Sequence, residues 1–150
     1  MKAQLLKISN KIAHSFSVRH DIVPVYHNKW HYHPEIEIIY IRKGKGTYII
    51  GDRIDSFEAN DIYVLGSNLP HLFRYDNNDQ DNYSDAYVIH CLPAFFSEDF
   101  LRHPEMKAVK DLIRKSLRGI QMRLKHPEVV NILFENLFNS DGFSRIISYF

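Results

Sequence analysis

Short apolar runs, each closed off by Gly, Pro, Asn or Asp, fill the sequence as far as Leu92-Pro93 and then stop. They fall at 16–20, 22–27, 35–42, 47–50, 61–65, 71–75 and 85–92. Strands this short and this evenly spaced bury their apolar faces in a sandwich or a small barrel. Lys43-Gly44-Lys45-Gly46 and Gly51-Asp52 are tight enough to close hairpins, the second between Tyr48-Ile49-Ile50 and Arg53-Ile54. The polar stretch 76–82 has nothing to bury and reads as a solvated loop rather than a calcium site.

Beyond Pro93 the spacing changes. From Pro104-Glu105 onward, Met106, Val109, Ile113, Leu117 and Ile120 recur at steps of three and four, which predicts one helix with a single apolar stripe. Lys107, Lys110, Arg114, Lys115 and Arg118 cover its other faces and read as a solvated surface. Pro127-Glu128 opens a second helix with Val130, Leu133, Phe134, Leu137 and Phe138 apolar, stopped by Asn139-Ser140-Asp141-Gly142. A third run, Phe143, Ile146, Ile147 and Phe150, is still helical in pattern at the last residue. The natural protein is therefore expected to continue beyond Phe150, or to complete this helix with another subunit.

Composition excludes several classes. With 45% hydrophobic and 25% charged residues, the chain has ordinary globular character. No apolar run approaches the roughly 20 residues of a membrane helix, and no export signal is readable at the start, so a soluble, cytoplasmic protein is expected. Cys91 is the single cysteine, which leaves neither an internal disulfide nor a thiolate metal site, and inside its apolar run it reads as a buried hydrophobe. Charge is split along the chain: residues 1–100 carry 10 Lys/Arg against 13 Asp/Glu, and residues 101–150 carry 9 against 5. The net +1 is a cancellation, and it lacks the clustered cations that phosphate contacts need. DNA binding would fall to a segment outside this sequence or to its C-terminal third.

The informative chemistry lies in Trp30-His31-Tyr32-His33-Pro34-Glu35-Ile36-Glu37. In an extended strand alternate residues share a face, so His31 and His33 project together, and Glu37 has the same parity. Pro34 can turn the chain, which leaves Glu35 as a competing carboxylate. His71, after Pro70 at the start of another run, is a fourth candidate. Three nitrogens and one oxygen suit a divalent iron, manganese, nickel, copper or zinc ion. The same side chains would also serve as direct contacts to an effector, or as a hydrogen-bonded polar cluster. Trp30, Tyr32 and Tyr40 are the candidate aromatic neighbours, with Tyr32 and Tyr40 on the opposite face by parity. His14, His20, His27, His90, His103 and His126 have no paired spacing and read as surface or core.

These residues resemble the cupin family. Its first motif is Gly, five residues, His-x-His, three or four residues, Glu, six residues, Gly; His31, His33, Glu37 and Gly44 match it, with Val25 in place of the leading Gly. Its second motif is Gly, five residues, Pro-x-Gly, two residues, His, three residues, Asn. There His71 survives, Asn60 and Asn68 replace the glycines, Gly66 the proline and Tyr75 the asparagine. Asn enters left-handed backbone more readily than other non-glycine residues, so both replacements suit the same turns. The resemblance implies a mainly β fold: a small, antiparallel, jelly-roll-like cupin β-barrel followed by C-terminal α-helices.

A longer stretch is similar to the N-terminal region of AraC-family bacterial transcription regulators. It includes Gly44-Lys45-Gly46-Thr47-Tyr48, Ala59-Asn60-Asp61, and Phe96-Ser97-Glu98-Asp99-Phe100-Leu101 ahead of the helices. This resemblance implies a sensor barrel over residues 1–92 and a helical dimerisation segment over 93–150, with Val109, Ile113, Leu117, Leu133 and Leu137 in a homodimer seam. It implies a small-molecule effector, a sugar among the candidates, held by His31, His33, Glu37 and His71 with Trp30 and Tyr40 nearby. A divalent metal at the same four positions is the candidate cofactor. DNA would be bound through a helix-turn-helix region absent from these residues, and no catalysis is expected. The alternatives are a stand-alone cupin metalloenzyme, an oxygenase or isomerase using the three histidines and Glu37, and a dimerisation scaffold without a ligand.

Overall fold

The computed structural model describes residues 2–8, 15–24, 29–76 and 83–149. Two five-stranded sheets face one another. The first runs in the order β1 (Gln4–Leu5), β3 (His31–Tyr32), β8 (His71–Tyr75), β5 (Gly46–Ile50) and β6 (Arg53–Phe57). The second runs β10 (Ile120–Arg123), β7 (Asp61–Leu65), β4 (Ile36–Lys43), β9 (Tyr83–Cys91) and β2 (Phe16–Pro24). All pairings are antiparallel except β1 with β3. The expected mainly β architecture followed by helices is thus what the chain adopts. The runs read separately at 16–20 and 22–27 form one strand through Pro24, since Asp21 stays in register opposite Ala86. Residues 25–27, most of the polar loop (77–82) and Phe150 lie outside the described residues.

Strand alternation decides which residues meet. On β4, Ile39 and Ile41 join Tyr48, Tyr63, Leu65 and Phe73 in the core between the sheets. Their neighbours Ile38 and Tyr40 point the other way, into clusters formed with the helices. Being covered on both faces, β4 reads as a nearly unbroken apolar run, as buried strands do.

Among the described residues four α-helices follow: α1 (Glu98–Leu101), α2 (Lys107–Ser116), α3 (Pro127–Asn139) and α4 (Gly142–Tyr149). The Ser97 hydroxyl caps α1 by accepting from the Phe100 N–H at 3.2 Å. Proline opens α3, where its missing N–H costs no intrahelical bond. Phe134 of α3 lies 5.2 Å from Tyr40 and 5.6 Å from Tyr87, centroid to centroid, which fastens the helix to the outer face of the second sheet. Among the described residues no helix is long and apolar enough to cross a membrane.

The single stripe expected from Met106 to Ile120 is corrected. Helix α2 stops at Ser116, Gly119 takes a φ of +79°, and the chain reverses into β10. Ile120 pairs with Val64 and Arg123 with Asp61, so a strand from the C-terminal third completes the edge of the second sheet. Fully buried Asp61 holds it there, accepting from Arg123 Nε at 3.0 Å, while Gln121 Nε2 donates to the Tyr63 hydroxyl at 2.9 Å. Close approach requires a glycine at 66: a Cβ there would stand 2.8 Å from the Leu117 backbone, and its N–H donates to the Ser116 carbonyl at 2.7 Å.

The five residues assigned to a seam are divided by this geometry. Val109, Ile113 and Leu137 pack against the sheet within the chain, whereas Leu117 and Leu133 are 55% and 56% exposed. Leu117 lies just past the end of α2, which is why the three-and-four spacing misplaced it.

Candidate functional site

Cross-strand pairing assembles the polar groups. His31 on β3 stands directly opposite His71 on β8, and Glu37 on β4 directly opposite His90 on β9. The two pairs face one another across the inter-sheet space. His33 joins them from the connection between β3 and β4, since the strand stops at Tyr32 and the chain bends at Pro34 and Glu35. Parity along one strand, the reason given for pairing His31 with His33, is therefore not what brings them together. The Asn68 N–H donates to the His33 carbonyl at 2.8 Å and steadies this turn. Asn60 and Asn68 have φ of 74° and 60°, as expected for asparagines standing at the glycine positions of the motif they resemble.

His31, His33, Glu37 and His71 are all buried, and each offers a ligand atom within 4.8 Å of the others. Glu37 is the centre: its Oε2 lies 3.0 Å from His33 Nε2 and 2.8 Å from His71 Nε2, and its Oε1 lies 3.3 Å from His90 Nε2. Glu35, the competing carboxylate, is buried but stands 3.7 Å from His33 Nδ1, so Glu37 takes the inward place. Each of the three motif histidines donates its Nδ1–H to a backbone carbonyl: His31 to Lys29, His33 to Glu35 at 3.1 Å and His71 to Leu69 at 2.8 Å.

Those three bonds fix the tautomer, as outer-shell partners of metal-binding imidazoles do. With Nδ1 committed, a neutral ring points the Nε2 lone pair inward. Lone pairs then converge with a carboxylate in a water-poor space, an arrangement that needs shared positive charge, either protons or a metal ion. His71 Nε2, although 2.8 Å from Glu37, is off the line of a hydrogen bond and has no such partner among the described residues. An orphaned buried nitrogen beside a carboxylate fits a divalent ion held by His31, His33, Glu37 and His71. Such an ion would supply Lewis acidity and open positions for a small ligand.

Electrostatics follow the same geometry. Burial alone would raise the Glu37 carboxyl, but the imidazole nitrogens of His33, His71 and His90 outweigh it and hold the group well below the usual carboxylate range. Burial would lower His71, yet the adjacent Glu37 charge raises it. His31 is lowered, first by burial and then by repulsion from His71.

The remaining candidates are dispersed. Tyr40 is buried under α3 with Ile62, Tyr87 and Phe134, on the far side of the sheet from the histidines. It is corrected out of the barrel interior, as its parity already indicated. Trp30 is half-buried beside β1, its carbonyl accepting from the Gln4 N–H. His90, read as surface or core, belongs to the cluster. The missed signal was register, because one strand's sequence does not say which residue of another it will oppose. His20 instead contacts Asp85 at 2.7 Å and stacks on Tyr87, and His103 and His126 are exposed. His14 and His27 lie outside the described residues.

A cavity of about 70 Å³ adjoins the cluster, with His31, Glu37 and His90 at one end, Ile39, Phe73 and Val88 along its walls, and Arg19 and Asp21 among its outer residues. It is far below the roughly 300–1,000 Å³ of ordinary ligand pockets. A sugar ring does not fit unless the walls move.

Residues 19–81 match the family model described as Cupin domain. Among solved structures, an apo form of ToxT from Vibrio cholerae superposes with a TM-score of 0.58 at 13% identity, over 91% of this chain and 52% of that one. Wild-type ToxT of the same organism with bound unsaturated fatty acid gives 0.56 at 14% identity, over 95% of this chain and 53% of that one. The chain spans about half the length of these structures. No curated protein matches the sequence. Strand order, the residues matched by the family model and these superpositions agree on one architecture: a cupin fold followed by C-terminal helices.

Proposed function

We propose that this chain is the sensor portion of an AraC-type transcription regulator, with a divalent metal ion in the barrel as the group that receives a small effector. The observation that carries the reading is the convergence of three Nε2 atoms, their Nδ1–H groups tied to carbonyls, on the buried carboxylate of Glu37. Likeness in fold to ToxT supports the regulator side, because it extends over the helices as well as the barrel, and one ToxT structure holds an unsaturated fatty acid. On this reading residues 1–92 form the sensor and residues 93–150 a dimerising helical segment, with β10 returned to the sheet. Exposed Leu117 and Leu133 would meet a second copy, and DNA would be read by a helix-turn-helix region outside these residues.

The small cavity defines the effector's foothold: a compact polar group at the metal, with any larger body extending past Arg19 and Asp21. Binding that favours one arrangement of barrel and helices would shift the dimer by its differential affinity for the two states. The test is a ligand panel on metal-loaded protein, read by thermal midpoint and dimer fraction. A ligand that moves both supports the proposal, and a panel that moves neither while metal is bound counts against it. The same donor set also favours a metalloenzyme as the second reading. Turnover by the metal-loaded chain alone, without effect on dimerisation, would establish that reading instead.

A further inference from the structure

A cavity larger than the one beside the histidines lies outside the barrel, among the described residues. It measures about 360 Å³, within the range of ligand pockets. Ile38 and Ile89 of the second sheet form its floor, Val109 and Ile113 of α2 one wall, and Leu133 and Leu137 of α3 the other. Four of these six belong to the stripe that the sequence assigned to a dimer seam. Here Val109, Ile113 and Leu137 turn inward and, with exposed Leu133 at the rim, border a gap that the chain's own side chains leave open.

We infer that this gap is a second ligand site, and that it takes an uncharged, apolar small molecule wedged between the sheet and helices α2 and α3. No charged side chain lines it, and the polar groups bordering it are those of Ser148 and Tyr149. A carboxylate or phosphate would be desolvated there without a counter-charge, which is prohibitive. At roughly 30 Å³ for each water-sized unit, the volume holds on the order of a dozen heavy atoms. A second copy of the chain is the weaker occupant. Of the lining only Leu112, Leu133 and Ser148 are exposed, so the interior of the gap lies beneath the surface that a partner would cover. A molecule here touches barrel and helices at once, so it would alter helix position without entering the metal site.

The test titrates the chain with 1-aminonaphthalene, a neutral apolar fluorophore small enough for this volume, over protein concentrations from monomer to dimer. Saturable binding of one probe per chain, with an affinity independent of protein concentration, is expected. Val109→Phe fills the gap from α2 and should weaken the probe at least tenfold while leaving the thermal midpoint unchanged or higher. Leu133→Trp, at an exposed position, should weaken it comparably and serves if the first variant folds poorly. Ile54→Ser, at an exposed apolar position of the first sheet outside the lining, should leave probe affinity unchanged. Wild-type affinity in both filling variants would overturn the assignment, as would loss of affinity in Ile54→Ser. Affinity that falls in step with self-association would show instead that the face is an interface between copies.

Discussion

Replacing Glu37 by Gln keeps the shape of the side chain and removes the negative charge around which His33, His71 and His90 gather at 3.0, 2.8 and 3.3 Å. Removing one partner of a buried charge pair typically costs about 3–5 kcal/mol. Gln still hydrogen-bonds and the imidazoles can shed protons, so the low end, about 3 kcal/mol, is expected. For a domain of this size that corresponds to roughly 6–12 °C in thermal midpoint. The pH profile should change as well. Glu37 is depressed in the fold, so its contribution is present above the unfolded value near 4.3 and is lost as pH falls through the folded one. His71 is raised, so its contribution is present below about 6.5 and is lost as pH rises through the folded value. Wild-type protein stripped of metal should therefore lose stability on both sides, and Glu37→Gln should flatten both limbs. Thermal melts in metal-free buffer from pH 3 to pH 9 decide the matter. An unchanged midpoint and an unchanged profile would refute the claim that charge holds this cluster together.

Other expectations rest on separate parts of the molecule. Gly66→Ala places a methyl 2.8 Å from the Leu117 backbone and should cost about 1–3 kcal/mol in denaturant unfolding, by overpacking the contact between barrel and helix. Asp61→Ala should leave the Glu58 N–H and the Arg123 Nε–H without their acceptor, cost about 2–3 kcal/mol, and selectively lower amide-exchange protection of residues 120–123. Leu137→Ala, at a position 4% exposed, should cost about 2–5 kcal/mol by opening a cavity beneath α3. Burial pushes the Cys91 thiol up to about 11, so a thiol reagent at pH 8 should label it only in unfolded protein.

Much of this was legible in the sequence, and the misses have physical reasons. Turn residues at Gly44, Gly51, Asn60 and Asn68 punctuate the barrel, and all four adopt positive φ, so the strands between them could be placed. His31, His33, Glu37 and His71 were identifiable because motif spacing encodes where short loops deliver a side chain. His90 was not, because its place depends on pairing with Glu37 over more than fifty residues of chain. The end of α2 was missed because Leu117 and Ile120 continue the helical spacing by coincidence, while the decisive residue, Gly119, carries no side chain to enter the pattern. An amphipathic stripe says that a face is covered without saying by what. Here Val109, Ile113 and Leu137 face the chain's own barrel.

The central claim is that the barrel is built to hold a divalent ion. Calorimetric titration of chelator-treated protein with zinc and manganese tests it most directly, run beside His33→Ala and His71→Ala. The account predicts one ion per wild-type chain, with affinity falling at least a hundredfold in both variants. Absence of saturable binding in the folded wild type, or equal affinity in all three proteins, would contradict it.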